Sequence, residues 1–186
     1  TIFADDADAW DHPGLLHMYI HLMEMSPTPE KALRHGDRLS TLVPDAGHLL
    51  HVATYIDVLC GGYMTVVLRN QTAIEADRKY LATSGAENFY SVYRCHNYHF
   101  KIYGAMFLGQ PGPALETAEE LISTLPVNML RSLADWFEAF IPMKQHVLIR
   151  FGKWRELIAL PPVADPDLFS VTNAMRLYAK GAAHAA

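Results

Sequence analysis

Six of the ten histidines in this chain fall into three close pairs, His17/His21, His48/His51 and His96/His99. A spacing of three or four residues places both imidazoles of a pair on one face of a helix. A third polar residue follows on each face: Glu24 after the first pair, Tyr55 after the second and Tyr103 after the third. Neutral imidazole is a ligand for zinc, copper, iron and nickel. Three histidines, or two with a carboxylate, leave a metal with an open position for catalysis. The six side chains His17, His21, His48, His51, His96 and His99 are therefore read as the ligands of a transition metal (Zn, Cu or Fe). Six exceed one coordination shell, so part of the set is assigned to supporting contacts. Glu24 reads as a general base or as a carboxylate that orients an imidazole. Tyr55 and Tyr103 read as acid donors or substrate contacts. The blander alternative is that each histidine or tyrosine is a packed residue at helical spacing.

For three pairs to converge, three helices must lie side by side. Helical signals fill the chain and strand-like alternation is almost absent. Pro13-Gly14 opens a helix that runs to about Met25, and Thr28 with Pro29 starts a second. Residues 44–60 read as a third helix that ends at Cys60-Gly61-Gly62. A fourth spans about 63–82, and a long one spans about 86–108. Gly109-Gln110-Pro111-Gly112-Pro113 is a strong stop. Further helices are predicted near 114–124, 128–143, 145–159 and 167–183, divided by Pro126, Pro142, Pro161-Pro162 and Pro166. Stops at intervals of tens of residues predict an all-α fold of stacked antiparallel helical hairpins, an irregular tetratricopeptide-like repeat array. Gly62-Tyr63 with Ala73, and Phe151-Gly152-Lys153-Trp154 after a helix, are repeat-like cues of the same kind.

Composition narrows the classes. The chain has 186 residues, 51% hydrophobic and 19% charged, which is globular rather than disordered. A net charge of −5 without clustered Lys and Arg argues against a nucleic-acid surface. No apolar run reaches the length of a membrane helix, about 18 residues. Two cysteines, Cys60 and Cys95, make no disulfide framework, and both read as packing thiols. A reducing, cytoplasmic setting is the default. Residues 1–186 read as a single helical-repeat domain and as a segment of a longer protein, since the chain lacks an initiator Met and stops within an apparent helix. His35 and His184 have no partner in the pattern and read as solvent-facing. His12 reads as a cap or as part of a pocket mouth, and His146 as a further pocket residue or a surface one. Trp136, Phe137, Phe140 and Trp154, at helical spacing, read as core.

Three stretches carry a resemblance: residues 12–21 (HPGLLHMYIH), 42–51 (LVPDAGHLLH) and 93–100 (YRCHNYHF). Together they resemble a tetratricopeptide-repeat-like family of bacterial and fungal proteins with HPGxxHxYIH, AGHLxH and HNxHF motifs. Pro142 to His146 and Phe151 to Trp154 extend the likeness over most of the chain. The resemblance implies the helical scaffold more firmly than an activity. Such proteins read His-Met-Pro-Ser/Thr-His after the Gly-His motif. This chain reads His51-Val52-Ala53-Thr54-Tyr55, so Tyr55 stands in place of that last histidine.

Three functions fit this pattern. The first is a metal-dependent enzyme acting on a small-molecule substrate in a His-rich pocket. The second is a non-catalytic module that binds a protein or peptide on a concave face. Such grooves usually carry Lys, Arg and Asn, whereas the repeated face here carries His, Tyr and Glu, which tilts the reading towards the first. The third is a metal carrier. Self-association or contact with flanking chain segments fits all three; nucleic acid and membrane do not. No Gly-rich phosphate loop, Gly-x-Ser-x-Gly elbow, CxxC pair or HExxH motif is present.

Overall fold

The computed structural model describes residues 2–186, and among them the regular elements are all helical. A short helix α1 (Ile2–Asp5) and a 3-10 turn (Ala7–Asp11) precede α2 (Pro13–Glu24). Two devices set the start of α2. Pro13 fixes its own backbone angle and gives up an amide that the first turn leaves unpaired anyway. The Nδ1 atom of His12 accepts the Leu15 amide at 3.2 Å, so His12 is a capping residue. A 3-10 turn (Pro29–Ala32) leads into α3 (Leu33–Leu42).

Residues 44–60 hold two helices rather than one, α4 (Gly47–Val52) and α5 (Thr54–Leu59). The break at Ala53 has a local cause. The Thr54 hydroxyl donates to the His51 carbonyl at 2.6 Å, competing for an acceptor that a continuous helix would use. The turn after α5 is made by Gly61, whose φ of 75° suits a residue without Cβ, while Gly62 keeps a negative φ. The Gly62 amide donates to the Asp57 carbonyl at 2.7 Å and closes the turn.

Then follow the two long helices, α6 (Tyr63–Ser84) and α7 (Tyr90–Phe107), which pack along each other. After α8 (Pro111–Ser123) come α9 (Val127–Ser132) and α10 (Ala134–Phe137), where the sequence suggests one helix over 128–143. The predicted helix at 145–159 is likewise divided, into α11 (Met143–Arg150) and α12 (Trp154–Ala159). The last helix is α13 (Ser170–Ala185), where the Val171 and Thr172 amides are capped by buried Glu138 at 3.3 and 2.7 Å.

Helices adjacent in sequence pack on each other: α2 on α3, α6 on α7, α7 on α8 and α12 on α13. One core joins Ile74, Val92, Tyr98 and Ile102 to Leu121, Phe137 and Val147. A second joins Leu16, Ile20 and Leu39 to Val52 and Ile56. Helix α4 touches α2, α6 and α7. That placement brings the three histidine-bearing helices to one region. Buried Asp77 fastens it, accepting the Tyr90 hydroxyl at 2.7 Å and the Asn97 amide at 2.6 Å.

Candidate functional site

The three histidine pairs form one continuous run of rings. Ring centroids are 4.7 Å apart for His17 and His21, 5.6 Å for His17 and His48, 6.2 Å for His48 and His51, and 6.1 Å for His51 and His96. His96 and His99 both lie against Phe140, at 5.3 and 5.7 Å, so His99 ends the run. Tyr55 joins it between His21 (5.4 Å) and His51 (5.0 Å). Tyr103 does not. Its ring sits 4.6 Å from Phe107 and 6.5 Å from Tyr63, near the end of α7.

At the outer end, Glu24 Oε1 lies 2.6 Å from His21 Nδ1, and His21 Nε2 lies 3.1 Å from His17 Nε2. The carboxylate accepts the Nδ1 hydrogen and fixes the ring. One hydrogen then serves the two facing Nε2 atoms. The spacing of the motif produces this directly, since His17, His21 and Glu24 share the same side of α2.

At the inner end, His51 has no exposed surface. Its Nδ1 donates to Asn70 Oδ1 at 2.7 Å. The Asn70 amide is itself oriented, because its Nδ2 donates to the Val66 carbonyl at 2.8 Å. His51 Nε2 is therefore left with a lone pair, and that atom is buried without a hydrogen-bond partner. His48 Nδ1 is likewise buried without one. Burial, reinforced by the neighbouring imidazoles, pushes His51 down to about 3 and His48 and His99 down to about 4. Burial also lowers His17 and His96. These rings are neutral at neutral pH, the state in which imidazole accepts a proton or binds a metal.

A cleft of ≈ 230 Å³ adjoins the outer end, with Glu24 and Tyr55 as its polar side chains and Met25, Val58, Leu59 and Phe100 as its apolar ones. A larger one, ≈ 480 Å³, lies elsewhere, bordered by Phe3, Tyr19, Lys31, Arg34 and His35. His35 departs from its solvent-facing reading: it is buried, stacked on Trp10 at 4.5 Å and flanked by Phe3 and Tyr19. Those partners come from three other elements, which spacing alone does not reveal. His184 and His146 are exposed. Cys95 is buried, with Sγ 3.2 Å from the Ser91 carbonyl, whereas Cys60 is exposed instead of packed. Phe137 and Phe140 are core, but Trp136 is exposed.

Two members of the site escape sequence reasoning: Asn70, which has no motif around it, and Phe140, which comes from a distant turn. Phe100 is visible there only as the last residue of the HNYHF stretch. Among the described residues no three His, Cys, Asp or Glu side chains are grouped so as to hold one metal ion. No protein-family model matches the chain, and no curated protein or solved structure matches it either. No helix among the described residues is long and apolar enough to cross a membrane.

Proposed function

We propose that this chain is an enzyme that acts on a small molecule by acid–base chemistry, with His17, His21 and Glu24 as its proton-handling groups. The observation that carries this reading is the hydrogen-bonded line from Glu24 through His21 to His17. A carboxylate behind one nitrogen of an imidazole raises the basicity of the other and stabilises the imidazolium that forms when a proton is taken. His17 extends the line, so a proton accepted there is shared with a second ring. Tyr55, against His21 and on the cleft, supplies a hydroxyl donor. The mainly apolar lining suits a small, weakly polar substrate. The scaffold is read as an irregular stack of tetratricopeptide-like hairpins, and the setting as cytoplasmic.

A pooled screen tests this without a chosen substrate. Purified protein is incubated with a pooled metabolite extract and depletion is followed by mass spectrometry. The expected result is that one or a few small molecules disappear with the native protein and persist with the His17→Asn/His21→Asn double variant. Identical profiles for the two proteins would remove the catalytic reading.

One observation favours a binding module instead. Met18, Leu22 and Met25 follow each other along the outer side of α2 and its cap, and are 64%, 69% and 90% exposed. Such an apolar stripe fits a protein or peptide partner. Retention of a partner that Met18→Ser/Leu22→Ser releases, with no metabolite consumed, would favour that module.

A further inference from the structure

We propose that the ≈ 480 Å³ cleft beside His35 binds a small aromatic monocarboxylate. Its volume falls in the range of ligand pockets, roughly 300–1,000 Å³. Phe3, Tyr19 and His35 border it and belong to one packed aromatic group. The His35 ring stands 4.7 Å from Phe3, 4.3 Å from Tyr19 and 4.5 Å from Trp10. Phe3 in turn lies 5.2 Å from both Trp10 and Tyr19. Burial, and after it the charge of Arg34, hold His35 below its ordinary value, so this ring is a neutral part of the wall at neutral pH. A wall of this kind takes a flat ring by offset stacking or edge contact.

The rim supplies the charge. Lys31, Arg34 and Glu30 border the same cleft, and all three are exposed. Among the described residues neither Lys31 nor Arg34 forms an ion pair, and the Arg34 guanidinium donates no hydrogen bond. Arg34 is nevertheless held in place, because its guanidinium carbon sits 4.3 Å over the Trp10 ring. Trp10 is anchored by its own indole, whose Nε1 donates to the Phe3 carbonyl at 2.9 Å. A stacked guanidinium keeps its N–H fork for a carboxylate, which it binds bidentately. Fixing the cation beforehand lowers the entropy lost on binding. Two cations against one Glu30 leave a single positive charge at this rim, in a chain whose net charge is −5. One carboxylate neutralises that surplus, whereas a second meets the like charge of Glu30.

This site stands apart from the acid–base reading. Tyr19 is two residues from both His17 and His21, about 200° round the helix from each. The test is equilibrium dialysis of the full chain against 2-naphthoate, with 2-naphthamide and naphthalene-2,6-dicarboxylate as comparisons. Expected is saturable binding of 2-naphthoate at one equivalent, at least about tenfold weaker for the amide and for the dicarboxylate. Arg34→Gln and Lys31→Gln should each weaken 2-naphthoate, Arg34→Gln by about tenfold or more. Both side chains are exposed, and far-UV circular dichroism establishes that each variant is folded. Arg155→Gln, at a separate cleft, and the His17→Asn/His21→Asn double variant should bind like the native protein. Absence of saturable 2-naphthoate binding would overturn the proposal. So would equal affinity for the amide, or affinity unchanged in folded Arg34→Gln, because the carboxylate would then not be what the cleft recognises.

Discussion

Gly47 and Asp77 meet so closely that a Cβ on Gly47 would overlap the Asp77 carboxylate. The same carboxylate accepts from Tyr90 and Asn97, and the Tyr90 hydroxyl also receives the His48 amide at 3.3 Å. The first residue of α4 is thus seated against α6 and, through Tyr90, against α7. The histidines of α4 inherit their position from that contact.

Replacing Gly47 by Ala should therefore cost about 2 kcal/mol or more, since the methyl displaces a buried, hydrogen-bonded carboxylate. Gly112→Ala, which enters open space, should stay within about 0.5 kcal/mol of the native protein. Urea denaturation of both variants checks the difference. Equal midpoints would mean that α4 is not held by Asp77.

The turn after α5 gives a second stability prediction. Gly61 has a left-handed backbone and an open surround, so Gly61→Ala should cost about 1 kcal/mol through backbone strain alone. Gly62→Val acts differently: its Cβ would stand 3.3 Å from the Asp57 carbonyl, and a similar or larger loss, about 1 kcal/mol or more, is expected from crowding. Melting temperatures of the two variants, measured side by side, check both.

Asn70 offers a third. Asn70→Leu removes the acceptor for the His51 Nδ1 hydrogen inside the protein, and an unpaired buried donor costs about 1–3 kcal/mol. Nitrogen-15 spectra of the histidine rings should show His51 as the Nδ1–H form in the native protein and a changed state in the variant. An unchanged His51 signal would mean that Asn70 does not set the tautomer.

The pH dependence follows from the histidines. His48, His51 and His99 have folded pKa values far below the ordinary value of 6.5. The unfolded chain takes up protons below about pH 6.5 that the folded chain refuses. The stabilisation is complete above about pH 6.5 and is lost as the pH falls towards 4. Asp57 acts in the opposite sense, because burial raises it to about 6 and its contribution is lost as the pH rises through that value. Three histidines outweigh it. With chelator present, stability should drop by about 3 kcal/mol or more between about pH 7 and pH 4. A flat pH profile of the unfolding midpoint would mean that these rings titrate normally.

The acid–base line has its own kinetic signature. Once a substrate is in hand, Glu24→Gln should lower turnover at least about tenfold while leaving the melting temperature nearly unchanged, because Gln keeps the shape but not the charge. Tyr55→Phe should preserve the fold and weaken turnover across the pH profile, because burial raises the Tyr55 hydroxyl above its ordinary value and keeps it protonated throughout the working range; an unchanged profile would remove Tyr55 as the donor.

Local signals make much of this architecture legible in the sequence. Pro13, the Gly61-Gly62 pair and the run from Gly109 to Pro113 mark helix limits because backbone conformation at those residues is decided within a few positions. The line from Glu24 to His17 is legible for the same reason: all three lie on two turns of one helix. The break at Ala53 is not, since it depends on a threonine hydroxyl rather than on Gly or Pro. The segments Ile2–Asp5 and Ala7–Asp11 are too short to show a period. Asn70, Phe140 and the aromatic enclosure of His35 depend on which helices pack together, and Tyr103 shares the spacing of Tyr55 yet faces a different neighbour. Periodicity says which residues share a face; it does not say what that face meets.

The run of rings draws its members from α2, α4 and α7, so residues 17 and 96 must be brought together before it exists. Bringing such distant positions together is the slow part of assembling a helical protein, whose individual helices form quickly. Any spectroscopic signal that depends on several of these rings at once will therefore lag behind helix content during refolding, and will mark the moment at which α2, α4 and α7 come together.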